Sequence, residues 1–125
     1  MISAENNMNN PDLICLVLVT APDSDTAELI ANTLLEKELA ACVNIYSGLR
    51  SLYRWEGKIQ DDQEFLMMIK TRLELVKNHL IPMIQELHPY QVPEIIALPV
   101  VECAESYLNW IVSETSGNES HPLEG

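Results

Sequence analysis

Residues 41–71 read ACVNIYSGLRSLYRWEGKIQDDQEFLMMIKT, two long extended segments that meet at Glu56-Gly57. The first, Cys42 to Trp55, is rich in β-branched and aromatic residues: Val43, Ile45, Tyr46, Tyr53, Trp55. The second, Ile59 to Lys70, starts polar with Gln60, Asp61 and Asp62 and finishes apolar from Phe65 to Ile69. Glycine takes the positive φ that a tight hairpin turn demands, so Gly57 predicts a β-hairpin. At about 3.3 Å per residue, the first arm alone spans roughly 46 Å. A globule of about 100 residues is only about 34 Å across. The hairpin is therefore expected to overhang its own domain. An overhang carrying Tyr53 and Trp55 needs cover, and a second copy of the same chain supplies it most cheaply.

Working outward, the chain before the hairpin opens on an Asn-rich, aperiodic stretch, residues 1–12, which reads as a disordered lead. Leu13 to Val19 is a continuous apolar run of strand length, consistent with a central strand buried on both faces. Thr20-Ala21-Pro22 ends it. Asp23, Ser24 and Asp25 offer helix N-caps, with Asp25 and Glu28 in capping-box spacing. Ala27, Ile30, Ala31, Leu34 and Leu35 then recur at helical spacing, predicting a helix that ends near Leu39. Within the hairpin's first arm, Ser47-Gly48 interrupts the alternation and predicts a bulge or bend.

After Thr71 the period turns helical: Leu73, Val76, Leu80, Ile84 and Leu87 form one stripe. Pro82 lies inside that stripe and lacks a backbone donor, so the helix should be kinked or split near Ile81. Ile95 to Val101 reads as a fourth strand, where Pro99 favours a sheet edge. Ala104 to Glu114 is a last short helix, expected to bury Tyr107, Leu108, Trp110 and Ile111. The segment 116–125, with its Gly, Pro and Glu, reads as a disordered tail. One domain, residues 13–115, lies between the two ends.

The order β-α-β-β-α-β plus a closing helix is that of an α+β, ferredoxin-like fold. Right-handed crossovers put both main helices on one face of a four-stranded antiparallel sheet. The other face is left without a helical cover in this reading. Leu16, Leu18, Val43, Ile45, Met67 and Ile69 are too many to point at two helices, which again argues for self-association.

Bulk composition narrows the function classes. The 125 residues carry 19 acidic and 7 basic side chains, a net charge of −12. Such a surface repels phosphate backbones and anionic lipid, which argues against nucleic acid and membrane partners. No apolar run approaches the roughly 20 residues of a membrane span, and no leader pattern opens the chain. A soluble, cytoplasmic protein is expected. Cys15, Cys42 and Cys103 are odd in number and form no Cys-x-x-Cys pair, so they read as small apolar residues or soft-metal donors.

No phosphate loop, nucleophile elbow or His-Glu-x-x-His zinc motif is present, and no enzymatic activity is expected. The distinctive polar segment is His88-Pro89-Tyr90-Gln91-Val92-Pro93-Glu94. With Thr20-Ala21-Pro22, Leu39 to Asn44, Leu52 to Ile59, Met68 to Thr71, Leu98-Pro99-Val100 and Tyr107 to Ile111, it resembles the CutA-type divalent-cation tolerance family. The resemblance covers about residues 13 to 113.

It implies a ferredoxin-like homotrimer similar in architecture to the PII signalling proteins, bound to divalent metal, copper included, without catalysis. Some members of the family carry a Cys and a second His where this chain has Val19 and Leu87, so only His88 carries over as a metal ligand. Two readings of His88 stand side by side: a hydrogen-bond donor at a helix end, or a ligand that imidazole chemistry suits to copper or zinc. Cys15, Met67 and Met68 are the other soft atoms within reach of the latter. Lys70, Tyr90 and Glu94 would line a cleft between subunits, and Tyr53 and Trp55 would anchor the trimer interface. Asp61, Asp62 and Glu64 read either as hard-cation oxygens or, preferably, as the hairpin's wet flank. The alternatives to a metal-tolerance trimer are a PII-like signalling or scaffold module binding a small molecule or protein partner at that cleft, and a small enzyme using His88 and Glu94 as acid and base.

Overall fold

The structure, a computed structural model, describes residue 10 and residues 13–117. Its elements run β1 (Ile14–Ala21), α1 (Ser24–Glu36), β2 (Cys42–Trp55), β3 (Lys58–Arg72), a 3₁₀ turn Leu73–Leu75, a π-helical turn Val76–Leu80, α2 (Ile81–Leu87), β4 (Ile95–Pro99) and α3 (Glu105–Glu114). The strands form one antiparallel sheet in the order β2-β3-β1-β4, the ferredoxin-like arrangement. The expected disordered lead lies outside the described residues but for Asn10. Of the expected tail, only Ser116 and Gly117 are described, and Ser116 Oγ donates to the Val112 carbonyl at 2.5 Å.

The hairpin closes as expected, with Trp55 paired to Lys58 across a two-residue turn. Glu56 and Gly57 sit at φ 53° and 77°, the left-handed pair that a type I′ turn requires. Upstream, Tyr46 pairs with Leu66 and Leu49 with Glu64, so Ser47 and Gly48 together face Phe65. That is the bulge, and Gly48 takes φ 81° within it. β1 pairs with β3 only from Phe65 to Arg72. The far half of the hairpin, Leu49–Trp55 against Lys58–Glu64, has no third strand beside it among the described residues. At about 3.3 Å per residue it projects roughly 23 Å.

Cross-strand pairing sorts the apolar residues onto two faces. Val17 lies opposite both Ile69 and Ala97, and Val43 opposite Ile69. With Cys15, Val19 and Met67 they form the floor of the core, roofed by Ala27, Ile30 and Leu34 of α1 and by Leu80 and Ile84. Each such side chain, fully buried, contributes about 1.5–3 kcal/mol of transfer free energy. Val43, Ile45, Met67 and Ile69 thus share the helix side after all, and only Leu16 and Leu18 of the expected surplus lie opposite.

That opposite face is not bare. Arg72 is buried there, donating from Nε to Thr115 Oγ1 at 2.9 Å and from Nη2 to the Thr115 carbonyl at 2.8 Å. Its Nη1 reaches Glu74 at 2.5 Å. These bonds tie the end of α3 under the sheet and bury Ile111 against it. Tyr107 and Trp110, expected to be buried, stack on each other at 5.6 Å and stay exposed, because α3 offers the sheet only a narrow stripe.

Other boundaries shift for local reasons. Of the three N-cap candidates Asp23 caps α1, accepting from Thr26 N at 2.8 Å, and Asp25, the capping-box candidate, sits inside the first turn. Thr26 holds the Asp23 carboxyl below its ordinary range. The helix stops at Glu36, and Glu38 turns the chain at φ 56°. Around Pro82 the expected split occurs: Ile81 N donates to the Val76 carbonyl, five residues back. Pro82 then occupies the first turn of α2, where no donor is needed. β4 ends at Pro99 on the sheet edge, shorter than expected.

Two outcomes follow. Thr115→Val removes an acceptor from a buried guanidinium and should cost about 1.5–3 kcal/mol in urea unfolding; a change within error would show that Arg72 is held elsewhere. Cys15 is fully buried, and its thiol is pushed up to about 12. Alkylation of the native protein at neutral pH should label Cys42 and Cys103 and spare Cys15, with peptide mass mapping as the check.

Candidate functional site

α2 ends in a run of residues that cannot continue a helix, and His88 takes an extended conformation at its C-cap. Its backbone N–H still donates to the Ile84 carbonyl at 2.8 Å. The ring is buried and joins two parts of the fold: Nε2 donates to the Thr20 carbonyl at 2.7 Å, and Nδ1 accepts from Tyr90 N at 3.1 Å. Those two partners fix the tautomer with the proton on Nε2. Neither nitrogen is left with a free lone pair. His88 serves as a brace between the end of β1 and the loop after α2, the helix-end role among the two readings of the sequence.

The brace aims Tyr90. Its ring lies 4.7 Å from the His88 ring at a 54° tilt, and its hydroxyl donates to Glu64 Oε2 at 3.0 Å. Glu64 is only 6% exposed, so it is not part of a wet flank. The sequence pattern had one signal for this: Glu64 stands at the joint between the polar and apolar halves of β3. The remaining acids of that cluster are separately engaged. Asp61 accepts from Arg50 at 2.8 and 3.0 Å, and Asp62 accepts from the Tyr53 hydroxyl.

Arg50 holds the Asp61 carboxyl below its ordinary range, and the guanidinium is raised in return. Both Tyr53 and Tyr90 are raised, Tyr53 first by its bond to Asp62 and Tyr90 first by burial and then by Glu64.

Between the overhanging hairpin and the loop after His88 lies a cavity of about 730 Å³. Tyr53 and Trp55 line it from the hairpin, Glu64 from β3, and Tyr90, Val92 and Glu94 from the loop. Tyr90 and Glu94 therefore line one cavity within the single chain, whereas the cleft expected from the sequence lay between subunits. Lys70 does not line it. It stands six residues along β3 from Glu64, about 20 Å away in an extended strand. There its Nζ donates to Asn44 Oδ1 and lies 3.9 Å from Cys42 Sγ. Tyr53 and Trp55 belong to the same cleft and stay about 40% exposed.

Metal chemistry finds no ready-made cage in one chain. Among the described residues no group of three or more His, Cys, Asp or Glu side chains converges on a point. Cys15 and Met67 are sealed in the core, and Val19 and Leu87, at the positions of additional family donors, both pack into it. Among the described residues, the donors of a single chain thus gather into no copper site.

Tyr90→Phe would strip the buried Glu64 of its donor and should cost about 1.5–3 kcal/mol. The sign with pH follows from the raised phenol. Above about pH 10 the unfolded chain loses its tyrosine protons while folded Tyr90 keeps its own. Stability should therefore fall as pH rises through this range, joined by Cys15 from its ordinary 9.0 upward. Thermal melts from neutral to alkaline pH check this; in Tyr90→Phe the alkaline loss should be smaller, and an equal loss would contradict the assignment.

Comparison with known proteins places this geometry. A family profile described as CutA1 divalent ion tolerance protein matches residues 15–114. The Divalent-cation tolerance protein CutA of Thermus thermophilus is 46% identical over 104 residues, covering 80% of this chain and 96% of that one. A chloroplastic Protein CutA of Arabidopsis thaliana is 40% identical over 111 residues, and there the chain spans only 59% of its relative's length. Among solved structures, the Periplasmic divalent cation tolerance protein CutA from Archaeoglobus fulgidus superposes with a TM-score of 0.79 at 39% identity, over 82% of this chain and 99% of that one. With the family profile matched over residues 15–114 and a relative 46% identical over 96% of its own length, the chain belongs to the CutA1 divalent ion tolerance family.

Proposed function

We propose that this chain serves divalent-cation tolerance as a non-enzymatic homotrimer of the cytoplasm that binds cations, copper among them. The observation that carries the assembly is the roughly 23 Å of hairpin with no neighbouring strand, which leaves Leu52, Trp55 and Ile59 exposed, Ile59 by 72%. Apolar surface of that extent on a projecting arm gains by pairing with another copy, and closed rings repeat one interface without leaving it open. In this reading Tyr53 and Trp55 anchor the contact between subunits. The net charge of −12 favours cations over anions at the surface. Donors for copper would have to be gathered between chains, and His88 could join them only by releasing the Thr20 carbonyl or the Tyr90 N–H. The absence of a catalytic motif in the sequence supports the non-enzymatic part.

A second reading, a PII-like signalling or scaffold module, is favoured by the cleft itself. A cavity of about 730 Å³ falls within the usual range for small-molecule sites.

Native mass spectrometry at micromolar concentration, with and without Cu²⁺, should show three chains per particle and a reproducible metal count. A monomer would overturn the assembly. His88→Ala should lower the copper count, and an unchanged count removes His88 from the metal reading.

A further inference from the structure

The cleft combines features that together select a ligand. Glu64 is about as buried as a core residue, yet among the described residues it makes no salt bridge, and its one hydrogen bond, from Tyr90, goes to Oε2. No described side-chain oxygen is both buried and unpartnered, so the second Glu64 oxygen stays accessible and Glu64 lines the cavity, where a cation could meet it. The guanidinium lining the same cavity, Arg50, is committed to Asp61 by two bonds at 2.8 and 3.0 Å. A second carboxylate, Glu94, lines the cavity from the loop side. The remaining wall is aromatic and apolar: Tyr53, Trp55, Tyr90, Leu52 and Val92.

Carboxylates set among ring faces attract a cation whose charge is carried on an organic body, because rings and acids both favour positive charge while the apolar wall takes the carbon. A bare divalent ion would use only the acids, and these do not converge in threes. An anion meets Glu64 and Glu94 with no uncommitted positive charge opposite.

We propose that the cleft between the overhanging hairpin and the His88–Glu94 loop binds an organic ammonium cation, its charge on Glu64 and its carbon chain against Trp55, Leu52 and Val92. This rests on the second reading of the function, a small-molecule cleft, and names the ligand class that reading leaves open. The raised phenols of Tyr53 and Tyr90 report the same negative surroundings, through Asp62 and Glu64. The His88 brace holds Tyr90, and through it Glu64, in place before a ligand arrives, so little ordering has to occur on binding.

The test uses the full chain in its native assembly and saturation-transfer NMR titrations with three probes of one size: n-butylammonium, n-butanol and butyrate. Saturable binding of butylammonium alone is expected. Glu64→Gln, which keeps shape and an acceptor for Tyr90 but removes the charge, should weaken it about tenfold or more. Val92→Ala, at an exposed loop position that the assembly reading does not use, should weaken it about two- to fivefold. Binding that survives Glu64→Gln unchanged overturns the proposal. Binding of butanol or butyrate as tight as that of butylammonium also overturns it while leaving a small-molecule cleft standing. No binding by any probe overturns both.

Discussion

β3 is fifteen residues long and β1 is eight, and much of this molecule follows from that mismatch. An antiparallel pair can be hydrogen-bonded only as far as the shorter strand runs. Beyond Phe65, β3 has β2 on one side and, among the described residues, no strand on the other. The bulge at Ser47-Gly48 lies opposite Phe65, where the sheet narrows from four strands to two, and a bulge there adds twist and bends the projecting ribbon. A two-stranded ribbon is marginal by itself in water. Among the described residues of the chain, the loop after α2 lies beside it.

The link between them is polar. The loop cannot be helical past Leu87, so its backbone groups need other partners, and His88 satisfies two of them at once through the Thr20 carbonyl and the Tyr90 N–H. Tyr90 then reaches Glu64 on β3. The chain of bonds runs from the end of β1, through the loop, to the base of the ribbon. The histidine that the sequence resemblance suggested as a metal ligand is a hydrogen-bonded tie in the single chain, and ligation would have to dismantle it. Val19 and Leu87, where the resemblance suggested further donors, pack into the core.

On the far side of the sheet, one buried arginine does comparable work. Arg72 is charged and almost fully enclosed, which is unfavourable unless its donors are occupied. Thr115 and Glu74 occupy them and in doing so hold α3 against a face that would otherwise be open. Beyond α3, Ile96, Leu98 and Tyr46 remain exposed, so the face is only part covered.

Local chemistry was enough to write most of the fold. Gly57 and Gly48 announced the turn and the bulge because only a few residues tolerate positive φ; Pro82 announced the split helix; alternation and helical spacing gave the four strands and the helices. Arm lengths alone predicted the overhang. What the linear pattern could not supply was which face each element meets. Ile45 and Leu16 look equally ready for the core, and only the pairing of β1 with β3 assigns them to opposite sides. Tyr107 and Trp110 read as buried because an isolated amphipathic helix does not say how much of its stripe a sheet will cover. Of the cavity within the chain, Tyr90 and Glu94 stood out in the sequence as polar residues beside apolar strand ends. Glu64 reads as a surface acid until the loop folds over it, and the register sets Lys70 six residues farther along the strand. Spacing along the chain fixes what an element is. Burial and charge pairing depend on what arrives from elsewhere in the chain, and that is settled only when the sheet closes.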